Sequence, residues 1–491
     1  MKVVVLYPEV LDMARYREKR KEFPPFGALY IAAAIEAAGY QVTIVKLTPG
    51  ELTPDLSDFD VVAFSISASA TFNMFLECRF KSKIKPDALL MGGGVHVNLF
   101  PEQTLIDLEL DVVGIGEGED TVIELLREAE RRDFSKVQGV CYLKNGCITK
   151  TPARKMEKNI DRYLFPARHL IPVDDFVMNN RMSNTDVRMT HIMPGRGCPF
   201  PCRYCASAQT KVQYRSGENL RNELKHLVET YGIEGFAVVG NDFILSKANV
   251  GEICDSIKEL KLKWATLSRV DRVDADILRK MHDAGCYELE FGVESGSDRI
   301  LNAMDKRATV EQVRQALRLT YEAGIKNKVF LVHGYPGEDM DSVRETISLL
   351  DEVGQFIERV SLFRFVPLPG TYVYKNAHQF GIRGTDKSDD WDGDWGKYHI
   401  HHNHVHWWGS AREFDELTRS YWELHSYVES RWPSKIALAE LPEDRWIDHS
   451  NNLMRTRSFK DGNYKSIILP SPMETIQISR TFQQGGVIAT R

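Results

Sequence analysis

The chain lacks the features that define several classes of protein. Its 491 residues include only 8 cysteines, which are too few and too scattered for a disulfide framework. No cysteine follows Cys286, so a metal cluster held by C-terminal cysteines is excluded. No stretch reaches the roughly 18 apolar residues of a membrane-spanning helix, and the apolar run in residues 1–8 is too short for a signal peptide. We therefore expect a cytoplasmic protein.

The net charge of the chain gives no indication of a nucleic acid or another large charged partner. The formal net charge is −6, which gives no sign of a basic nucleic-acid-binding surface. We expect neither a nucleic acid nor a membrane as partner. At roughly 150 residues per domain, the length predicts about three domains.

Three of the cysteines stand close together, with the spacing C-x3-C-x2-C at Cys198, Cys202 and Cys205. Tetranuclear iron–sulfur clusters and closed zinc sites normally use four protein ligands. Between residues 206 and 253 the only further candidate is His226, in the middle of a helical pattern. The missing ligand favours a cluster whose fourth iron binds an exogenous group, over a structural zinc site or buried thiols.

This motif, with Tyr204 directly before the third cysteine, resembles the signature of the radical S-adenosylmethionine (SAM) superfamily. The resemblance implies a [4Fe–4S] cluster on Cys198, Cys202 and Cys205, whose fourth iron chelates the amino and carboxylate groups of SAM. It also implies cleavage of SAM to a 5′-deoxyadenosyl radical. The electron would come from an external reductant of the flavodoxin or ferredoxin type.

The first 150 residues alternate β-type apolar runs with helical segments, which predicts an α/β domain with a doubly wound parallel sheet. An Ala-rich helix is predicted at residues 27–39. In such a domain, the loops at the carboxyl ends of the strands form the ligand crevice. The predicted strands are residues 3–6, 41–45, 61–65, 88–91 and 112–115.

Small residues recur in these loops, in the order Pro24-Pro25-Phe26-Gly27, Ser65-Ile66-Ser67, Gly93-Gly94-Val95-His96 and Gly116-Glu117-Gly118-Glu119. The ordered set resembles the N-terminal cobalamin-binding domain of one large class of radical SAM enzymes. That class commonly lacks the Asp-x-His-x-x-Gly motif whose His ligates cobalt, and this chain lacks it too. The cofactor-binding residues that the resemblance implies are Pro25, Ser65, Ser67, Gly93, Gly94, Gly116 and Glu117.

One residue departs from the family pattern. Val95 stands where family members usually carry proline, and some relatives keep the domain after losing the cofactor. Cobalamin binding is therefore left open at this point. For His96 a structural role is favoured over a ligand role.

Residues 151–186 read as a linker, and residues 187–385 as a second domain with six β/α units. Six units predict a partial (β/α)6 barrel of the TIM type, with its chemistry at the carboxyl ends of the strands. The cysteine motif directly follows the first of these strands. The predicted strands are residues 188–193, 235–239, 263–267, 287–291, 328–332 and 359–363.

The strand ends carry polar residues suited to the groups of SAM, which are a carboxylate, an amine, ribose hydroxyls and an adenine. Arg269 is the candidate for the carboxylate, and Glu294 or Ser295 for the ribose or the amine. Tyr204 offers its backbone or ring to the adenine, and Asn241 and Asp242 belong to the same set. These strand ends resemble the cobalamin-associated and methylthio-transferring branches, where Arg-Val-Asp, Phe-Gly-Val-Glu-Ser-Gly-Ser and Gly-Tyr-Pro-Gly-Glu recur in this order.

Residues 386–491 are predicted to form a mainly helical region that caps the substrate, with an amphipathic helix at residues 412–431. Residues 399–406 contain five histidines but no cysteine or acidic ligand. We expect this stretch to be a loop that closes the mouth of the barrel, and we disfavour the alternative that it binds a metal.

Two reactions are compatible with these features. The first is cobalamin-dependent methyl transfer to an unactivated carbon of a polar biosynthetic small molecule, which most relatives with this N-terminal domain catalyse. The second is cobalamin-independent dehydration or deoxygenation of a vicinal diol, as in the aminoglycoside-pathway diol dehydratases that resemble this branch. In that reaction Lys211 or Tyr214 would handle the proton of the leaving hydroxyl.

Two further readings are disfavoured. A methylthiotransferase acting on tRNA or a ribosomal protein would need N-terminal cluster cysteines and a basic tail. A binding module without catalysis would leave the SAM residues unexplained.

Overall fold

Two sheets, one mainly and one entirely parallel, organise the part of the chain that the computed structural model describes. That part comprises residues 1–9, 23–48, 53–177, 187–386, 393–398 and 407–433.

The first sheet has seven strands in the order β2-β1-β3-β4-β5-β6-β7. The first five strands in this order pair in parallel, and β6 is antiparallel to both of its neighbours, β5 and β7. The interior strand β1 is almost continuously apolar, as expected of a strand with helices on both faces of its sheet. The strands are β1 Lys2–Pro8, β2 Gln41–Leu47, β3 Val61–Ser65, β4 Leu89–Gly93, β5 Val112–Gly114, β6 Val140–Lys144 and β7 Cys147–Lys150.

Five helices cover this sheet. The Ala-rich helix α1 buries Ala28, Leu29 and Ile35 against one face, because its small side chains permit close packing. The helices are α1 Phe26–Ala37, α2 Phe72–Lys81, α3 Val95–Leu99, α4 Pro101–Asp107 and α5 Glu119–Arg127.

The second sheet has six parallel strands that neighbour one another in chain order, β15-β14-β13-β12-β11-β8, while β9 and β10 form a separate pair. Consecutive order with a helix between neighbouring strands is the arrangement of a partial (β/α)6 barrel. The predicted fold class is therefore confirmed. The strands are β8 Met189–Ile192, β11 Gly235–Val238, β12 Lys263–Ser268, β13 Cys286–Glu294, β14 Lys326–His333 and β15 Ile357–Arg364.

All but the last of the barrel helices bury apolar side chains in the barrel core. Two short strands, β9 Gly195–Arg196 and β10 Gln213–Tyr214, form an antiparallel hairpin beside the first barrel strand. The helices are α6 Gly217–Tyr231, α7 Lys247–Ile257, α8 Ala275–Asp283, α9 Asp298–Ala303, α10 Val310–Glu322, α11 Met340–Val353 and α12 Tyr372–Lys375.

A single apolar cluster joins the two sheets. Leu6 and Phe64 of the first sheet belong to the same buried cluster as Tyr335 and Phe365 of the barrel, together with Trp395. The ends of both sets of strands are therefore packed together in one core. The boundaries of the predicted domains stay predictions.

A long helix, α13 Ala411–Arg431, lies on the barrel where residues 412–431 were predicted to be helical. It starts with a capping box of Ser410 and Glu413, and it buries Leu424 and Val428 in the barrel core. The histidine-rich residues 399–406 lie outside the described residues. Among the described helices, none combines the length and the hydropathy needed to cross a bilayer.

Candidate active site

The cysteine loop, residues 197–211, leaves the barrel just after β8 and returns through β10. Two hydrogen bonds close it at its base: Thr210 N donates to Cys198 O at 2.9 Å, and Cys198 N donates to Thr210 Oγ1 at 2.8 Å. Gly197 has a φ of +83°, and a Cβ there would overlap the carbonyl oxygen of Lys211. Glycine is therefore required where the loop begins.

The three thiols of this loop lie in a mostly buried environment. Cys198 and Cys202 are buried and Cys205 is half-buried. Burial raises the pKa of the Cys198 and Cys205 thiols. A cation lies beside them, since Arg269 Nη1 is 3.4 Å from Cys202 Sγ.

Arg269 is fully engaged by its surroundings. Its Nε and Nη2 donate to the Asp271 carboxylate at 2.8 and 3.2 Å, and Nη2 also donates to Lys306 O at 2.5 Å. The Phe200 ring lies 4.0 Å from its guanidinium carbon. The predicted partner of the SAM carboxylate is thus fixed against the thiols rather than extended into an open cleft. Its role stays a prediction.

A buried triad lies on the other side of the loop. Tyr204 OH donates to Glu294 Oε1 at 2.8 Å, and Lys306 Nζ donates to the same oxygen at 2.7 Å. Lys306 Nζ is also 3.2 Å from Tyr204 OH. Glu294 reaches this position with a φ of +68° at the end of β13. Burial raises the pKa of Tyr204 well above its usual value, so its hydroxyl stays a donor.

Lys306 was not predicted from the sequence. It follows Met304 and Asp305 in a loop, and its side chain is 6% exposed. A lone lysine after a short helix carries no pattern of its own. Its position depends on the unusual backbone of Glu294 and on the absence of a side chain at Gly292, where a Cβ would lie 2.5 Å from Glu294 Oε1.

Asp242 lies at the carboxyl end of β11, as predicted, and is 8% exposed. Its Oδ1 accepts hydrogen bonds from Ser268 Oγ at 2.7 Å and Ile244 N at 3.1 Å. Its Oδ2 is buried and has no partner among the described atoms. Burial raises the pKa of this carboxyl.

The other predicted residues of this region differ in their surroundings. Asn241 and Tyr214 line one cleft with Asp242, beside the β9–β10 hairpin, and Tyr214 is 37% exposed. The side chain of Lys211 is exposed. Ser295 is 1% exposed, and its hydroxyl accepts from Ser297 N at 3.2 Å, a contact within the turn.

Two glycines in the loops of the first sheet have free space where a side chain would stand. At Gly93 and Gly116 a Cβ would meet no atom within 4 Å. At Gly94 it would lie 2.5 Å from Ile66 O, and the φ is +110°, so that glycine is needed for the close approach of two loops. The Gly116 N–H donates to Asn98 Oδ1 at 2.7 Å. The remaining predicted loop residues are partly exposed at Pro25 and Ser65 and exposed at Ser67.

His96 is enclosed instead. Its ring lies 4.4 Å from Phe72, 5.1 Å from Phe100 and 4.9 Å from Trp395, and Nδ1 is 2.9 Å from Ser69 Oγ. Burial lowers its pKa to about 3, so the ring is neutral. The structure supports the structural role favoured for this residue.

Two family models match the chain. One, described as the radical SAM superfamily, matches residues 192–350, and the other, described as the B12 binding domain, matches residues 18–126. The chain belongs to the radical SAM superfamily. It is an enzyme of that superfamily with an N-terminal B12-binding domain.

Relatives and solved structures agree with this assignment. An uncharacterized methyltransferase of Pyrococcus horikoshii is 28% identical over 77% of this radical SAM enzyme and 83% of its own length. Cytidylyl-2-hydroxyethylphosphonate methyltransferase of Streptomyces wedmorensis is 24% identical, over 79% and 83%. The fold matches that of the radical SAM methyltransferase TsrM from Kitasatospora setae, solved with cobalamin and a [4Fe–4S] cluster, with a TM-score of 0.66, 16% identity, and coverage of 86% and 90%.

The donor set fits a [4Fe–4S] cluster, which the superfamily uses together with SAM. Within the described residues, no group of three His, Cys, Asp or Glu side chains is arranged around a single ion. Each cysteine of such a cluster binds a different iron, so the three thiols need not converge on one point. Cys198, Cys202 and Cys205 remain the predicted ligands.

The remaining cofactors fit as well. The orphaned Asp242 Oδ2 is an acceptor of the kind that an ammonium group of SAM requires, in a buried place where leaving it without a partner is costly. The open faces of Gly93 and Gly116 leave room for a large flat ligand such as cobalamin, which the B12-binding match implies. Glu117 differs from these glycines, because its carboxylate contacts the barrel at Arg196 and Gln213.

Proposed function

We propose that this radical SAM enzyme methylates an unactivated carbon of a polar small molecule, with cobalamin as the methyl carrier. The observation that carries the proposal is the open glycine surface at the ends of β4 and β5, packed in one core with the barrel that holds the cysteine loop. The methyltransferase names of the relatives support it.

Each cofactor would supply one part of the chemistry. When bound, cobalamin would supply a carrier for a methyl group from one SAM, and a cluster on Cys198, Cys202 and Cys205 would supply the electron for cleavage of a second SAM. The protein contributes binding and exclusion of water, since the apolar cluster around Tyr335 and Phe365 seals the space between the two sheets. Asp242 accepts a hydrogen bond from the SAM ammonium, and the Tyr204, Glu294 and Lys306 triad fixes the loop that carries the cysteines.

A substrate-independent experiment tests this proposal. The anaerobically reconstituted enzyme is incubated with hydroxocobalamin, desalted, reduced with titanium(III) citrate and given SAM. We expect one equivalent of corrinoid to be retained and about one equivalent of S-adenosylhomocysteine to form. Loss of the corrinoid on desalting, with deoxyadenosine as the only product, would refute methyl transfer.

A matched pair of variants locates the corrinoid. Gly93→Leu fills the open surface and should abolish corrinoid retention, whereas Val95→Leu changes a side chain that is already 51% exposed and should leave it intact. Equal retention by both variants would place the corrinoid elsewhere.

Tyr214 favours a second candidate, the radical dehydration of a vicinal diol. Its ring lines the same cleft as Asp242, so a phenolic proton donor and a buried carboxyl share one cleft. Tyr214→Phe should then stop turnover of a diol substrate while SAM cleavage continues. Tyr321→Phe, at a tyrosine that is 56% exposed, serves as the control. Unchanged diol turnover in Tyr214→Phe would exclude this role.

A further inference from the structure

A charged clamp joins the B12-binding domain to the base of the cysteine loop. Glu117 and Glu119 follow β5 closely, and Arg196 stands two residues before the first cysteine. Arg196 Nη1 is 3.3 Å from Glu117 Oε1, and Nη2 donates a short hydrogen bond to Glu119 Oε1. One guanidinium therefore holds two carboxylates of the other domain.

The surroundings of this clamp make it stronger than a surface ion pair. The Glu119 side chain is 6% exposed and that of Arg196 is 21% exposed. The rings of Tyr30 and Tyr163 lie 5.3 and 5.9 Å from the guanidinium carbon. Charge-assisted hydrogen bonds are worth more where aromatic rings exclude water, because solvent screens the charges less.

The backbone of Arg196 is fixed in the hairpin that closes the cysteine loop. Arg196 pairs with Gln213 across β9 and β10. Gly195 permits this pairing, because a Cβ there would lie 2.5 Å from Gln213 O. Gln213 Nε2 donates to Glu117 Oε2 at 3.2 Å, so Glu117 contacts both strands of the hairpin. A displacement of the β5 loop would therefore displace the cysteine loop.

We propose that Arg196 is a positioning residue, which fixes the cysteine loop against the B12-binding domain through Glu117 and Glu119. Under the proposed function, this holds the site of radical formation at a constant place relative to the corrin-side loops. Only this consequence for the distance to the corrin-side loops depends on the proposed methyl transfer. The clamp itself is tested with SAM as the only substrate.

The test compares Arg196→Gln, Arg196→Lys and Arg162→Gln in the reconstituted holoenzyme. Arg162 is the matched control because it pairs with Asp120 at 2.8 Å in the same region but is 47% exposed. Hydrogen–deuterium exchange is measured on peptides that cover residues 197–211. Formation of 5′-deoxyadenosine from SAM is measured with dithionite as reductant.

In Arg196→Gln we expect the cysteine-loop amides to exchange about tenfold faster, and deoxyadenosine to form about tenfold more slowly, since a charge-assisted hydrogen bond is lost. Arg196→Lys keeps the charge without the two-pronged geometry, so it should recover part of both effects. Arg162→Gln should match the unmodified enzyme.

Two results would overturn the proposal. One is unchanged exchange of residues 197–211 in Arg196→Gln. The other is faster exchange spread over the whole protein, or shared by Arg162→Gln, because that pattern marks a general loss of stability. Neither readout involves a methylated product, so a failure of the methyl-transfer proposal is distinguishable from a failure of the clamp.

Discussion

Lys306→Met is the sharpest test of the buried triad beneath the cysteine loop. The Lys306 and Glu294 side chains are 6% and 9% exposed, and their charged atoms lie 2.7 Å apart. Removing one partner of a buried ion pair leaves the other charge uncompensated, at a cost of about 3–5 kcal/mol. Tyr204 OH would remain as a donor to Glu294, so we expect a loss at the lower end of that range.

The variant is compared with the unmodified enzyme in thermal unfolding, in iron bound after reconstitution and in deoxyadenosine formation. Lys328→Met is the matched control, because Lys328 Nζ lies 3.1 Å from Glu290 Oε1 while both side chains are more exposed, at 17% and 23%. Its loss should be clearly smaller than that of Lys306→Met, since the remaining charge is less deeply buried and more of it is screened by solvent.

The double variant Lys306→Met/Glu294→Gln decides between charge and packing. Glutamine still accepts the hydrogen bond from Tyr204 but carries no charge, so most of the lost stability should return. Unfolding of Lys306→Met at the temperature of the unmodified enzyme would show that the buried charge pair adds no stability. A double variant no more stable than the single one would show that the loss comes from packing and not from charge.

Three further outcomes are expected. Cys205→Ala should bind little iron on reconstitution, measured by colorimetric iron analysis, since no replacement ligand is predicted; full iron content would remove Cys205 from the ligand set. Gly94→Ala should lower the free energy of unfolding by about 1–3 kcal/mol, because Gly94 has a positive φ and a Cβ there would lie close to Ile66 O. Gly93→Ala is the control and should be tolerated in the same thermal unfolding experiment. Equal losses in the two variants would contradict the close approach at Gly94. Burial raises the pKa of Glu338 to about 8, so the native state keeps a proton that the unfolded chain releases near 4.5. The stability that this group contributes is full below about pH 4.5 and is lost as the pH rises through 8. The free energy of unfolding should change by at most on the order of 5 kcal/mol over that range, and Glu338→Gln should reduce this pH dependence. An unchanged pH dependence in the variant would contradict the pKa shift.

The fold followed from the sequence wherever a periodic pattern carried it. The apolar runs of β1 and β3 and the β/α alternation of the barrel located the strands to within a few residues. Four strands were missed: the two-residue strands β9 and β10, and the longer pair β6 and β7. Asn145-Gly146 joins β6 to β7, with positive φ at both residues. An Asn-Gly pair between two apolar runs is a recognised hairpin signal, so the information was present in the sequence.

The site was less predictable because its contacts join distant residues. The spacing of the cysteines is local, and it was recognisable. The contact between Arg196 and Glu119 spans 77 positions, and nothing in either stretch specifies the other. Lys306 reaches Glu294 only because β13 ends in a left-handed residue, a backbone state that side-chain patterns do not encode.

The charges around the cysteine loop have a consequence for its redox chemistry. Three of the cations near the loop, Arg196, Arg269 and Lys306, are each paired with one or two carboxylates. Within this set the carboxylates outnumber the cations by one, because Arg196 is shared by two glutamates. Arg203, inside the loop, contacts the carbonyl oxygen of Ala303 and the ring of Tyr372 instead. An electron added at the loop therefore gains little from the three paired cations, since their fields are cancelled at short range. An unpaired arginine at the position of Arg269, beside the Cys202 thiol, would stabilise the reduced state of a cluster more strongly and make it a weaker reductant. Arg269, paired with Asp271, donates its hydrogen bond to Cys202 Sγ, and this pairing would limit the loss of reducing power in a cluster that must supply an electron to SAM.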